Sequence, residues 1–320
     1  MTMQYASLLM LFWAPYFFKE LCMAIQNDPG VFGRKIFFLN PAYSVKEKII
    51  AKLQKMEYEV YTIESYREAK PILRKNPNSI LFINTDAQLA PSAWFNFIRT
   101  FDREETLSTI LISVLTERFR ASDVDIFNKF AYLACNVIEF ENGLESVSEK
   151  IVSLVEQFKA KGQRQYVRAN LTYDKDATLF WNHGSKMHQL KLLDISSVGM
   201  AVRCPVVLEN QIIAKNFLLQ NVTMRLGTKQ LVIEAVIYGI KQTTDGTLWI
   251  LLLLPSTAPS IKDEIRAYVS KTIEEQMIAS INGERKDEQD YSQMNYYNLA
   301  TKTKTKTTVN LFSSLPGSNF

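Results

Sequence analysis

From Arg34 to Phe158 the chain switches five times between short runs of β-branched and aromatic residues and stretches whose apolar residues recur every three or four positions. Lys35-Ile36-Phe37-Phe38-Leu39 reads as a strand, and Val45, Ile49, Ile50 and Leu53 follow at helical spacing. Strands are then predicted for Tyr58 to Ile63, Ile80 to Asn84, Leu107 to Leu115 and Val137 to Phe140. Helices are predicted near Tyr66 to Arg74, Ser92 to Thr100, Val124 to Leu133 and Leu144 to Phe158. Five successive β-α units require a parallel sheet with helices on both faces.

Beyond residue 160 the alternation stops. Met200 to Cys204, Phe217 to Leu226, Gln230 to Lys241 and Thr247 to Leu254 read as strands, with turns at Gly227-Thr228 and Asp245-Gly246 between the last three. Closely spaced strands of this kind predict a small antiparallel barrel. A length of 320 residues accommodates both units. The expected fold class is therefore α/β plus all-β: a doubly wound domain over 34–160, then a barrel with a C-terminal helix over 161–282. In that helix Ile261, Ile265, Tyr268, Val269, Ile273, Met277 and Ile281 recur at amphipathic spacing, and packing within the chain is expected.

The two ends read differently. Residues 283–320 turn polar and include Thr301-Lys302-Thr303-Lys304-Thr305-Lys306, which predicts a largely disordered tail. Residues 1–33 form an extension with an apolar stretch from Ala6 to Phe18, shorter than the roughly 20 residues a membrane span needs. It also lacks the marks of a signal peptide. Translation is expected to begin at Met23, and a membrane role is not expected.

Charge narrows the class further. The net charge of +4 is too small for a nucleic-acid coat or a polybasic membrane binder, so no nucleic-acid partner is expected. The surplus is local: residues 34–158 hold 16 basic and 17 acidic side chains, whereas 161–258 hold 11 and 6. Cys22, Cys135 and Cys204 are odd in number and far apart, which predicts no disulfide framework or thiolate metal site and fits a reducing cytoplasm. His183 and His188 alone make no zinc site and are expected in loops near the second strand. No hydrolase, kinase or metalloprotease motif occurs, so no catalytic residue, metal or enzymatic turnover is expected.

The first domain resembles a response-regulator receiver in element order and length, and departs from it in chemistry. That family holds magnesium with carboxylates after the first strand, carries an acceptor Asp ending the third, and places a Lys after the fifth. Here the first strand is followed by Asn40-Pro41 and the fifth reads Glu139-Phe140-Glu141, so the charge stabilisation for phosphoryl transfer is missing. Asp86 alone stands where an acceptor would, and an Asp after a strand is more simply a turn residue. Thr116, ending the fourth strand, suits either role. The domain is read as a scaffold or docking module that is not phosphorylated.

Two elements of the second domain carry chemistry. Lys161-Gly162-Gln163-Arg164-Gln165-Tyr166-Val167-Arg168 contains R-x-x-x-R, and Asp194-Ile195-Ser196-Ser197-Val198-Gly199 forms D-x-S-x-x-G after the run Gln189 to Leu193. In this order, with these strands and a following helix, residues 161–282 resemble a PilZ domain. The resemblance implies a receptor for cyclic di-GMP that binds through Arg164, Arg168, Asp194, Ser196 and Gly199. It also implies an unidentified protein partner and a role in motility, adhesion or virulence.

The residue types suit that ligand. A guanidinium fork engages guanine O6 and N7 or a phosphate, Asp194 accepts from guanine N–H groups, and Ser196 donates to a phosphate oxygen or holds its turn. Gly199 permits a tight bend or a close backbone approach. Gln163 stands where the family often has another Arg, while Arg203 and Lys161 read as ordinary surface residues. Because Arg164 and Arg168 lie between the domains, ligand capture is expected to alter their arrangement. The competing reading is a nucleotide-independent adaptor that docks a partner through its first domain.

Overall fold

The computed structural model describes residues 33–302 apart from 132, 135, 205–213 and 245. The expected N-terminal extension, except Gly33, and the start at Met23 lie outside the described residues. The chain forms two compact units: one contains 1–53, 59–163 and 281–320, the other 54–58 and 164–280.

In the first unit five strands pair in parallel in the order β2-β1-β3-β4-β5. They are β1 (Ile36–Leu39), β2 (Val60–Ile63), β3 (Ile80–Asn84), β4 (Leu111–Thr116) and β5 (Ile138–Glu139). Every residue of β1 and β4 is buried, the condition of a strand covered on both faces, and it explains why apolar residues occupy both faces of these runs instead of alternating with exposed polar ones. The helices are α1 (Ala51–Lys55, continuing a π-helical turn over Val45–Ile50), α2 (Tyr66–Arg74), α3 (Pro91–Arg99), α4 (Glu105–Ser108), α5 (Ala121–Phe130) and α6 (Gly143–Gln157). Helix α2 begins where Ser65 accepts from the backbone N–H of Arg67 at 3.3 Å, and α3 begins at a proline, whose missing N–H is no loss there.

Strand order and parallel pairing are those of a doubly wound fold, a scaffold that does not by itself specify chemistry. Two boundaries differ from expectation. Leu107 belongs to α4, and β5 has only two residues because it meets β4 through Leu115↔Ile138 and Thr116↔Glu139 alone.

The polar tail is corrected over its described part. Tyr291 is 1% exposed and lies in a 3₁₀ turn, Tyr291–Gln293, and residues 296–302 are helical. Asn96 on α3 fastens this segment, donating to the carbonyls of Tyr291 (2.8 Å) and Met294 (2.9 Å) and accepting from the Tyr297 N–H at 3.0 Å. Lys70 on α2 lies 3.4 Å from Asp287 and faces the rings of Phe97, Phe101 and Tyr291. Composition predicted solvation; the buried Tyr291 ring and the buried Asn96 amide outweigh it. The repeat beyond Lys302 lies outside the described residues.

In the second unit six antiparallel strands close on themselves in the order β8-β7-β10-β11-β12-β9 and back to β8. They are β7 (Ala177–His183), β8 (Lys186–Ser196), β9 (Gly199–Arg203), β10 (Leu218–Leu226), β11 (Lys229–Thr243) and β12 (Gly246–Leu253), with a short β6 (Ala169–Asn170) paired to β8. Alternation fills the interior with Leu179, Trp181, Leu190, Leu192, Ile195, Val202, Met224 and Trp249. Helix α7 (Pro259–Ser280) buries Ile265, Val269, Ile273 and Met277 and packs on β6 and β8, as its spacing predicts.

The histidines are corrected as well, since both lie on strands. His183 ends β7 and stacks on Trp181 with ring centroids 4.7 Å apart, while His188 is buried on β8. No helix among the described residues is long and apolar enough to cross a membrane.

Candidate functional site

Strand register brings the two sequence elements together. Lys191 of β8 pairs with Thr178 of β7 on one edge and Arg203 of β9 on the other; farther along, Asp194 pairs with Asn170 of β6 and Ala201 of β9. Because β9 is continuous along one edge, β6 must prolong the line of β7 along the other. Ala169 and Ile195 are opposite each other and both fully buried, and the residues that precede them, Arg168 and Asp194, point outward. Arg168, immediately before β6, and Asp194 therefore share the outer wall of the barrel. Their side chains stand 3.8 Å apart, Arg168 Nη1 to Asp194 Oδ1, with 47% and 36% of each exposed.

That separation is too long for a hydrogen bond and leaves the guanidinium donors of Arg168 open to a ligand. An exposed pair of this kind contributes only about 0–1 kcal/mol, so Arg168 is pre-aimed without being locked. Asp194 Oδ1 accepts from the Ala201 N–H at 3.2 Å, which fixes the carboxyl on the wall. Its Oδ2 has no hydrogen-bond partner among the described residues. Arg164 is exposed on the segment leading to β6, which has neither helix nor strand from Gly162 to Arg168. It is the least fixed of the group.

Ser196 and Gly199 serve the wall itself. Of the two roles open to Ser196, the structure favours holding the turn: its side chain is fully buried, and its Oγ donates to the Gly199 carbonyl at 3.0 Å. Asp194 and Ser196 are strand residues at the end of β8, and the loop is reduced to the Ser197-Val198 turn. Gly199 has no left-handed backbone. A Cβ there would lie 2.5 Å from the Leu251 carbonyl oxygen and 2.9 Å from a Leu252 methyl group, so glycine is needed for the close approach of β9 to β12. The backbone this glycine admits is a neighbouring strand.

Asp86 presents a different picture in the first unit. Its Oδ1 accepts from the Thr116 hydroxyl at 2.6 Å and its Oδ2 from the Glu117 N–H at 2.7 Å. Both oxygens are engaged in joining the ends of β3 and β4, a long-range tie where a local turn bond was expected. Among the described residues no cluster of three or more His, Cys, Asp or Glu is placed to hold a metal ion.

Sequence reasoning missed Glu57, Ser197 and Arg266, which meet beside these motif elements. Ser197 lies inside D-x-S-x-x-G and carried a visible signal. Glu57 and Arg266 had none, being far from the motifs along the chain.

No family model and no curated protein matches the chain. Solved structures do. The PilZ domain with c-di-GMP of YcgR from Escherichia coli matches 37% of this chain and 98% of its own, at 11% identity and a TM-score of 0.31. The K. pneumonia MrkH–c-di-GMP complex matches 37% of this chain and 56% of its own at 18% identity and TM-score 0.32. The Bacillus subtilis inhibitor of motility MotI/DgrA matches 37% and 53% at 20% and 0.30. The chain thus spans only about half of the latter two proteins. At such scores the functional argument rests on the residues of this chain.

Proposed function

We propose that this chain is a non-enzymatic cytoplasmic receptor for cyclic di-GMP, bound on the outer wall of the barrel between the Arg164–Arg168 segment and the Asp194 rim. One observation supports this above all: the distal arginine of R-x-x-x-R and the acid of D-x-S-x-x-G, remote in sequence, face each other at 3.8 Å with unsatisfied ligand-binding capacity on both. In this reading the arginines engage guanine O6 and N7 or the phosphates, Asp194 accepts from guanine N1–H and N2–H, and Ser196 and Gly199 hold the shape of the rim.

The mechanical consequence follows from chain order. Arg164 and Arg168 lie in the second unit just after one of the places where the chain passes between the units, so their capture restrains that passage and alters an interdomain or partner contact, to the extent that the ligand binds one arrangement better than the other. Motility, adhesion or virulence-related behaviour is the output the family resemblance implies.

Calorimetric titration of the full chain with cyclic di-GMP tests the receptor. Saturable binding is expected, and its stoichiometry gives the number of ligands per chain. Absence of binding by folded protein overturns the reading and leaves the nucleotide-independent adaptor. Small-angle scattering with saturating nucleotide tests the mechanical part, which unchanged scattering contradicts.

A further inference from the structure

Both motif elements of the second unit are held from below by one carboxylate. It comes from Gln54–Tyr58, a segment that belongs to this unit although it precedes the rest by more than a hundred residues. Glu57 has a left-handed backbone (φ 62°), donates its N–H to the Gln54 carbonyl at 3.0 Å, and keeps a side chain only 8% exposed. Outside glycine, and less often Asn or Asp, that backbone region is disfavoured; here the turn is held by what the side chain binds.

Glu57 Oε2 accepts from the backbone N–H of Val167 at 3.2 Å, one residue before Arg168. Oε1 accepts from the Ser197 hydroxyl at 2.6 Å, inside D-x-S-x-x-G, and from Arg266 Nε on α7 at 2.7 Å. Arg266 Nη1 donates in turn to Asp263 at 2.8 Å. Charge-assisted bonds are the stronger kind, and the three that Glu57 accepts tie the arginine segment, the rim turn and α7 to one group. The remaining void among Glu57, Val167, Ser197 and Arg266 is about 10 Å³, room for at most one water. Glu57 therefore acts by placing its neighbours and touches no nucleotide itself.

We propose that Glu57 is a positioning residue for the nucleotide site. The segment from Gly162 to Arg168 carries no helix or strand, so the Val167 bond anchors it just before β6. By gripping Val167 and Ser197 together, Glu57 sets where Arg168 stands relative to Asp194, and through Arg266 it links the site to α7. The inference rests on the receptor reading of the same site.

The test compares cyclic di-GMP affinity of the full chain in the wild type, Glu57→Ala, Arg168→Ala and the double variant, together with tryptic cleavage after Arg164 and Arg168 without nucleotide. Glu57→Ala is expected to weaken binding about tenfold in the wild-type background and far less in the Arg168→Ala background, because its effect passes through that arginine. It is also expected to speed cleavage at both arginines. Where Glu57→Ala fails to fold, Ser197→Ala removes one anchor, keeps the Glu57–Arg266 pair, and is expected to weaken binding about threefold. A wild type that binds while Glu57→Ala binds equally well, or loses as much in both backgrounds, overturns the proposal and spares the receptor. A wild type that takes up no cyclic di-GMP overturns both.

Discussion

Asp86 and Asp194 are both aspartates at the carboxyl ends of strands, and their surroundings give them opposite capacities. Asp86 in the α/β unit has both oxygens engaged, one by the Thr116 hydroxyl and the other by the Glu117 N–H. Asp194 in the barrel uses one oxygen on Ala201, is 36% exposed, and faces a guanidinium beyond hydrogen-bond range. The first carboxylate ties two strand ends together and the second is ready for a partner. Residue type and strand position alone did not separate them; the count of occupied lone pairs does.

A substitution far from the barrel site should therefore act mainly on the unit that contains it. The largest effect is expected for Tyr291→Ala, which empties the site of a ring 1% exposed among Tyr66, Phe97 and Lys70. It should lower the stability of the first unit by about 3–5 kcal/mol in chemical denaturation and leave cyclic di-GMP affinity unchanged. A change in affinity would break the division of labour.

Next come Arg164→Ala and Arg168→Ala, each expected to weaken cyclic di-GMP binding by about 1–3 kcal/mol, roughly 5- to 150-fold by calorimetry, with little change in stability. Retained affinity in both would remove the clamp. Asp86→Ala should cost about 1–2 kcal/mol of stability in the first unit through loss of two acceptor interactions, with no effect on nucleotide binding. Acetyl phosphate and magnesium should leave the wild-type protein unlabelled, and labelling at Asp86 would contradict its structural role.

The smallest effect concerns Asp102, whose carboxyl is pushed up to about 6 by burial, against the opposing pull of Arg99. A folded value above the ordinary one means that its stabilising contribution is complete below about pH 4 and is lost as pH rises through 6. Asp102→Asn should flatten the stability profile between those values, and an unchanged slope would show that other groups set it.

Much of this architecture was legible because periodicity survives folding. The predominantly apolar runs Ile36–Leu39 and Leu111–Leu115 fit between two layers of helices, and the alternation in β8 and β12 fits a wall with one wet face. What stayed hidden depended on contacts between distant residues. Tyr291 sits in a polar segment that composition marks as solvated, and only the pocket offered by α3 overturns that. Ser196 and Asp194 look equivalent in a motif, whereas the turn hydrogen bond buries one and leaves the other at the surface. Glu57 has no local signal at all; its partners lie at 167, 197 and 266.

Barrel closure bears on how another polypeptide can be recognised. Each of the six strands has neighbours on both sides, so among the described residues a visiting peptide finds there only the outer edge of the two-residue β6 and short unpaired strand ends, and must be read mainly through side chains. In the α/β unit the ladder ends at β2 on one side and at the two-residue β5 on the other, so among the described residues those are the edges where main-chain pairing with a second polypeptide has somewhere to begin.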